Sequence, residues 1–150
     1  MGYPSPAKTV SITILTLLAM MTAAHANGIG QVKNVQGAVF IEKNNNKTPL
    51  KTGDALQQAD VIHTGGDGSV GIVFIDNSTM AVGPDTVLAL DKFEFNSTTH
   101  AGVFNSSLRQ GTLAVKSGKI VKQTPEAMKI NTRTSVLAVR GTEFVVSSGN

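Results

Sequence analysis

Histidine and acidic side chains are the groups of this chain that could carry acid–base or metal chemistry. The chain has no cysteine, so it can form neither a disulfide nor a thiolate metal site. Of its three histidines, His63 and His100 lie beyond residue 26. Two histidines make a zinc site only with help from carboxylates, and neither has a ligand at helical spacing. We therefore predict no metal site, no cofactor and a structural role for His63.

The acidic side chains flank predicted turns and do not outline a cleft. Acids in turns usually accept hydrogen bonds from backbone N–H groups of the same turn. Their spacing does not match a calcium loop, and no Gly-x-Ser-x-Gly elbow accompanies them. We predict no catalytic residue and a non-enzymatic protein. The alternative, an exported hydrolase or carbohydrate-active protein, requires several of these acids to converge in one pocket. The acids that flank turns are Asp54, Asp60, Asp67, Asp76 and Asp85, and the alternative requires convergence among Asp54, Asp60, Asp67 and Asp85.

Two short motifs have a residue composition that could bind anions. Residues 65–68 (GGDG) resemble a phosphate-binding loop, but they lack the following lysine and helix, so a tight turn is predicted. Lys116, Lys119 and Lys122 surround Gly118. Without Lys8 of the leader, the net charge falls from +3 to 12 − 10 = +2, so we predict a solvated rim. Aromatic residues make up 5% of the chain and Trp is absent, which disfavours nucleic acid as a partner.

Residues 1–26 have the parts of a secretory signal peptide. Lys8 precedes an apolar run at residues 10–21, and Ala24, His25 and Ala26 form a small-x-small cleavage site. The run is shorter than the roughly twenty residues that a membrane span needs. We predict cleavage after Ala26, a periplasmic or secreted location, and no stable membrane insertion afterwards.

Residues 27–150 have the composition of a single all-β domain. They contain 15 Val, 7 Ile and 12 Thr against 7 Leu and 9 Ala, a balance that suits a pleated surface. Their 14 glycines mark turns at short intervals. The pattern predicts about ten to twelve short strands in a rolled sandwich, barrel or solenoid. They are placed at residues 37–43, 48–51, 61–64, 69–75, 79–82, 87–95, 113–116, 120–122, 128–131, 136–140 and 143–146, with a surface loop at 96–107.

Six stretches, taken in order, resemble the FecR-domain family, a bacterial periplasmic module. They are residues 50–56 (LKTGDAL), 59–65 (ADVIHTG), 67–74 (DGSVGIVF), 82–86 (VGPDT), 108–113 (LRQGTL) and 140–144 (RGTEF). The resemblance covers about residues 30–146. Ala59 and Asn77 stand where the family commonly has glycine, which puts the turn at Ala59 in doubt because alanine tolerates a left-handed backbone poorly.

The resemblance implies a twisted β-solenoid-like unit or rolled sandwich, in an exported single-domain member without an anti-sigma region or membrane helix. It marks a set of motif residues, which we interpret as structural: Gly53, Asp54, Asp60, Thr64, Gly65, Gly68, Gly83, Pro84, Gly111, Arg140, Gly141, Thr142 and Phe144.

The function implied is binding or scaffolding through protein–protein contacts, in envelope signalling or assembly. A periplasmic component of an iron-responsive signal-transduction system is an alternative. The partner expected is an envelope protein, with cell-wall and outer-membrane components as candidates. Exposed strand edges can accept a partner strand, so the hairpin at residues 39–50 and the loop at 96–107 are the predicted docking surfaces.

Overall fold

The computed structural model describes residues 2–4 and 28–149. The predicted signal peptide, residues 1–26, lies almost wholly outside this part of the chain, so its cleavage stays a prediction. Within the described residues no helix has the length and apolar character that crossing a membrane would take.

The described residues form twelve strands and one short helix, which confirms the all-β prediction. The elements are β1 (Gly30–Gln36), β2 (Val39–Lys43), β3 (Asn46–Pro49), β4 (Ala55–Leu56), β5 (Val61–Thr64), β6 (Ser69–Phe74), β7 (Thr79–Val82), β8 (Val87–Phe95), β9 (Gly102–Lys116), α1 (Lys119–Gln123), β10 (Met128–Asn131), β11 (Val136–Ala138) and β12 (Glu143–Ser148).

Strand β9 belongs to two sheets and joins them. Its first half lies between β8 and β10 in sheet one, whose order is β3-β2-β5-β8-β9-β10-β11. Its second half lies between β7 and β12 in sheet two, whose order is β4-β1-β6-β7-β9-β12. The change of partners falls at Gly111, which has φ +94°. A Cβ there would lie 2.1 Å from Thr86 Oγ1, so only glycine fits this bend.

Three phenylalanines form the centre of the core between the sheets. Phe74 of sheet two stacks on Phe93 of sheet one with ring centroids 5.7 Å apart. Phe104, also from sheet one, meets Phe74 edge-on at 4.6 Å and Phe93 at 4.8 Å. All three are buried, and aromatic pairs of this geometry each add about 1 kcal/mol beyond their burial. The apolar alternation of β6 and β8 therefore places the sheets face to face.

Tight turns connect the antiparallel strands. Asn44 and Asn45 have φ of +50° and +65° and join Lys43 directly to Asn46, which is a two-residue hairpin. This hairpin starts its return strand at Asn46, two residues before the predicted start. Strands β6 and β7 pair as the predicted hairpin.

Two sequence-based predictions were wrong, and strands β1 and β4 were not predicted. The loop predicted at residues 96–107 ends at Ala101, because Phe104, Ser106 and Leu108 alternate inward as buried residues of β9. The strand predicted at residues 120–122 is helix α1, whose first N–H groups donate to the turn at Asp76: Lys119 N lies 2.8 Å from Asp76 O. For β1 the reason is that Val32 is its only buried apolar side chain.

Candidate functional site

One group of motif residues surrounds three neighbouring threonines, Thr64, Thr86 and Thr112, here called the threonine cluster. Thr64 Oγ1 donates to Gly83 O at 2.6 Å and accepts from Thr86 N at 2.9 Å. Thr86 Oγ1 donates to Pro84 O at 2.9 Å and accepts from Thr112 N at 3.0 Å. Thr64 and Thr86 are buried. The hydroxyls of Thr64 and Thr86 thus bond to backbone groups that lack a backbone partner where strands of the two sheets meet.

Gly68, beside the threonine cluster, leaves no room for a side chain, and Gly65 leaves little. Gly65 N donates to Ala38 O at 2.8 Å, and Gly68 N donates to Gly65 O at 2.9 Å. A Cβ on Gly68 would lie 2.3 Å from Ala38 O. These contacts are backbone against backbone. They explain the glycines by packing and provide no open surface for a ligand.

A second group of motif residues forms the turns between β3 and β5. Gly53 has φ +93°, and Asp54 Oδ2 accepts from Lys51 N at 2.8 Å. The buried Asp60 accepts from Gln57 N at 2.8 Å and pairs with Lys43 Nζ at 3.3 Å.

The two positions that depart from the family pattern keep the backbone of glycine. Ala59 has φ +72° and Asn77 has φ +66°. The turn that the sequence put in doubt is therefore made with alanine in the left-handed region, at a cost of about 1 kcal/mol. Asparagine adopts this region more readily.

Four of the five candidate acids bind polar groups of their own turn or of a neighbouring turn. Besides Asp54 and Asp60, Asp67 Oδ1 accepts from Ala38 N at 3.2 Å, and Asp76 Oδ2 accepts from Ser78 Oγ at 2.7 Å. His63 Nε2 lies 2.8 Å from Glu42 Oε2 on the outer face of sheet one. Among residues 2–4 and 28–149, no three His, Asp or Glu side chains lie close enough together to hold a metal ion. The geometry gives no support to the hydrolase alternative.

The last motif residues form an exposed loop, Arg140, Gly141 and Thr142, here called the Arg140 loop. Ser117 holds it: Ser117 Oγ donates to Gly141 O at 2.6 Å, and Ser117 N donates to Thr142 O at 2.8 Å. Gly141 has φ +121°, and a Cβ there would meet nothing within 4 Å. After the loop, Phe144 packs partly buried against the core.

An open groove of about 650 Å³ lies between the Arg140 loop and helix α1. Arg140 pairs with Glu126 across it, and both side chains are mostly exposed. Its floor is largely apolar. The groove is lined by Ser117, Val121, Lys122, Thr124, Pro125, Glu126, Arg140, Gly141 and Thr142. The family motif therefore reaches an accessible surface here.

Strand β11 runs into the Arg140 loop and has one open side. It pairs antiparallel with β10, and no other described strand pairs with it. Val136 is 66% exposed and Leu137 is 39% exposed. We call Val136, Leu137 and Ala138 the β11 edge.

Sequence reasoning did not find the residues that support this region. Asp76 Oδ1 accepts from Ser78 N at 2.9 Å, and Ser78 Oγ accepts from Gly118 N at 2.9 Å. The Asp-x-Ser spacing of such a side-chain turn was visible in the sequence. Its contact with Gly118, forty residues later, was not.

A family model described as "FecR protein" matches residues 60–150, more than half of the chain. Residues 30–59 of the resemblance lie outside that match. No match was found among curated proteins. One solved structure, a "Cell surface anchoring domain", shares 34% identity over 41% of this chain and 82% of its own, with a TM-score of 0.39.

Proposed function

This chain belongs to the FecR protein family, and from that premise we propose that it is an exported, non-enzymatic module that holds another protein of the cell envelope. Export is supported by the signal-peptide pattern of residues 1–26. The family resemblance supports a periplasmic or secreted location.

The observation that carries the proposal is the contrast between buried and accessible motif residues. The threonine hydroxyls of the threonine cluster are already hydrogen-bonded to backbone atoms. The Arg140 loop instead borders a groove and the β11 edge, where apolar side chains are exposed. Exposed apolar side chains beside unpaired backbone are typical of a docking surface for a protein.

The dispersed acids support a non-enzymatic role. Acid–base catalysis needs at least two groups placed around one reacting bond. Here Asp54, Asp60 and Asp67 bind backbone N–H groups of separate segments. A function in protein binding does not require acidic groups placed around one bond.

In-cell photocrosslinking tests the proposal. A photoreactive amino acid replaces Leu137 in the full-length chain in its host, and a second strain carries it at the exposed Thr48 of β3. We expect a discrete adduct from Leu137 and none from Thr48, with mass spectrometry identifying the partner.

Two results would overturn the proposal. One is the absence of an adduct from Leu137 and from a further crosslinker at Thr142. The other is recovery of the chain in the cytoplasmic fraction with residues 1–26 intact. A membrane-spanning regulator as the partner would place the module in signalling, and a structural envelope protein would place it in assembly.

A further inference from the structure

Resting on the proposed function, we infer that the β11 edge binds an extended acidic peptide segment of the partner, which adds to sheet one as its next strand. The inference draws on the hydrogen-bond pattern of β11, the charge around it, and the poor fit of other occupants.

The backbone of β11 presents unpaired groups in the right places. Val139 N donates to Met128 O at 3.0 Å, and Thr132 N donates to Ser135 O at 2.8 Å. Hydrogen-bonded pairs alternate along an antiparallel ladder, so Leu137 is bonded to Ile130 between them. The N–H and C=O groups of Val136 and Ala138 therefore point away from β10, to the open side. An incoming strand finds two donors and two acceptors there.

The side chains of β11 are those of a strand interior. Val136 and Leu137 are exposed although valine and leucine favour burial, and the edge carries none of the lysine or proline that usually protects one. Successive side chains of a strand point to opposite faces, so a peptide with apolar residues at alternate positions would cover one of the two.

The charge around the edge is positive. Residues 117–142 contain five basic and one acidic side chain, 5 − 1 = +4. Lys129 is the cross-strand neighbour of Ala138, Arg133 lies in the turn before β11, and Arg140 follows it. Glu126, the only acid of this stretch, pairs with Arg140. Carboxylates flanking the apolar residues of a peptide would complement these cations.

Two other occupants fit less well. A second copy of β11 placed antiparallel on the first would bring the two sets of Lys129, Arg133 and Arg140 together, and like charges repel. The predicted leader, residues 1–26, contains Lys8 and no acidic residue. Neither supplies the negative charge that the edge favours.

Fluorescence anisotropy on the mature chain purified from its host tests the inference. The probe is a labelled heptapeptide of alternating Glu and Val, and the control peptide has Lys in place of Glu. We expect the Glu peptide to bind, the Lys peptide not to bind, and the Kd to rise at least about tenfold between 0.05 and 0.5 M salt, because screening shortens the reach of the cations.

Val136→Pro removes one outward N–H without removing a bond to β10. We expect it to raise the Kd for the Glu peptide at least about tenfold, a loss of about 1.4 kcal/mol. Val136→Thr keeps the N–H and the strand preference, so it is the matched control. Arg133→Gln should weaken binding, and Lys47→Gln on β3 should not. Unchanged thermal unfolding shows that each variant is folded.

Three results would overturn the inference. They are equal binding of the Glu and Lys peptides, binding that Val136→Pro leaves unchanged, and self-association of the chain that Val136→Pro abolishes. If the crosslinked partner segment at Leu137 lacks acids, the inference fails while the proposed function stands. If Leu137 and Thr142 give no adduct, the proposed function fails first.

Discussion

The two outer strands of sheet one show opposite chemistry. At one side β3 has the sequence NKTP, with a lysine, a proline and no large apolar side chain. At the other side β11 has the sequence VLA, and all three residues are exposed. A lysine and a proline on an edge strand prevent pairing with another chain. The same sheet thus has one protected edge and one open edge, and the open edge continues into the Arg140 loop.

The difference between the two edges corresponds to two groups of motif residues with different structural roles. Those around Thr64 and Gly111 hold the two sheets together beneath both edges. Those of the Arg140 loop are held by Ser117 and directly follow the open edge. Variants can therefore remove the common support, the support of one edge, or the exposed side chains only.

Gly111→Ala removes the support of both edges and should have the largest effect. The new Cβ would lie 2.1 Å from Thr86 Oγ1, at φ +94°. We expect the free energy of unfolding to fall by about 3 kcal/mol or more, measured by urea denaturation. Gly53→Ala is the matched control, because Gly53 has φ +93° but nothing within 4 Å, and it should cost about 1 kcal/mol. Equal losses would show that backbone conformation, and not the contact with Thr86, requires Gly111.

Ser117→Ala loosens the open edge and leaves the protected edge in place. It removes the hydrogen bond from Ser117 Oγ to Gly141 O and leaves a carbonyl without that donor. We expect a loss of about 1–2 kcal/mol in unfolding free energy. Hydrogen exchange should become faster around Arg140 and stay unchanged in β3. Ser147→Ala, on an exposed hydroxyl contact of 3.3 Å, is the control and should change stability little. Faster exchange in β3 as well would mean that the two edges are coupled.

Val136→Glu places a charge on the open edge, and this charge both disfavours strand pairing and repels an acidic partner segment. Val136 is 66% exposed, and exposed substitutions of this kind change stability by about 0.5 kcal/mol or less. The adduct from a crosslinker at Leu137 should fall about tenfold, equivalent to about 1.4 kcal/mol of binding. Thr48→Val, which adds an apolar side chain to β3, should not create an adduct there, because Pro49 remains. An undiminished adduct from Leu137 would place the contact elsewhere.

Ala59→Gly should stabilise the protected side of the domain by up to about 1 kcal/mol. It relieves the left-handed backbone of Ala59 at φ +72°. Asn77→Gly, at φ +66°, should change stability by a smaller amount, because asparagine already tolerates this region. Both are measured by thermal unfolding, and neither should alter the adduct at Leu137. A loss of stability in Ala59→Gly would show that the methyl group contributes packing.

The sequence predicted the strands whose partners lie close along the chain. Strands β5, β7, β8 and β10 begin and end at the predicted residues, since apolar alternation and tight turns define them locally. The first half of β9 was not predicted, because it contains the polar residues Asn105, Ser106 and Ser107. The local sequence does not indicate that Ser106 is buried. Helix α1 has β-branched Ile120 and Val121, which favour a strand locally, and its first N–H group is bonded to the distant Asp76 O.

The candidate site was predicted in part. The resemblance included the residues of the Arg140 loop, and we interpreted them as structural. Exposure of the β11 edge could not be predicted, because it depends on which strands lie beside it. The sequence pointed instead to residues 39–50 and 96–107 as docking surfaces. The structure places β3 at an edge, as the first of these predictions requires, but its side chains disfavour pairing. The remaining loop, residues 96–101, is shorter than predicted.

The sharing of β9 between the sheets has a mechanical consequence. Its fifteen residues are held by β8 and β10 over the first half and by β7 and β12 over the second. A partner that pulls on β11 loads β10, and β10 runs parallel to β9. The tension would pass along β9, which is hydrogen-bonded to four neighbouring strands. Many hydrogen bonds would then share the load.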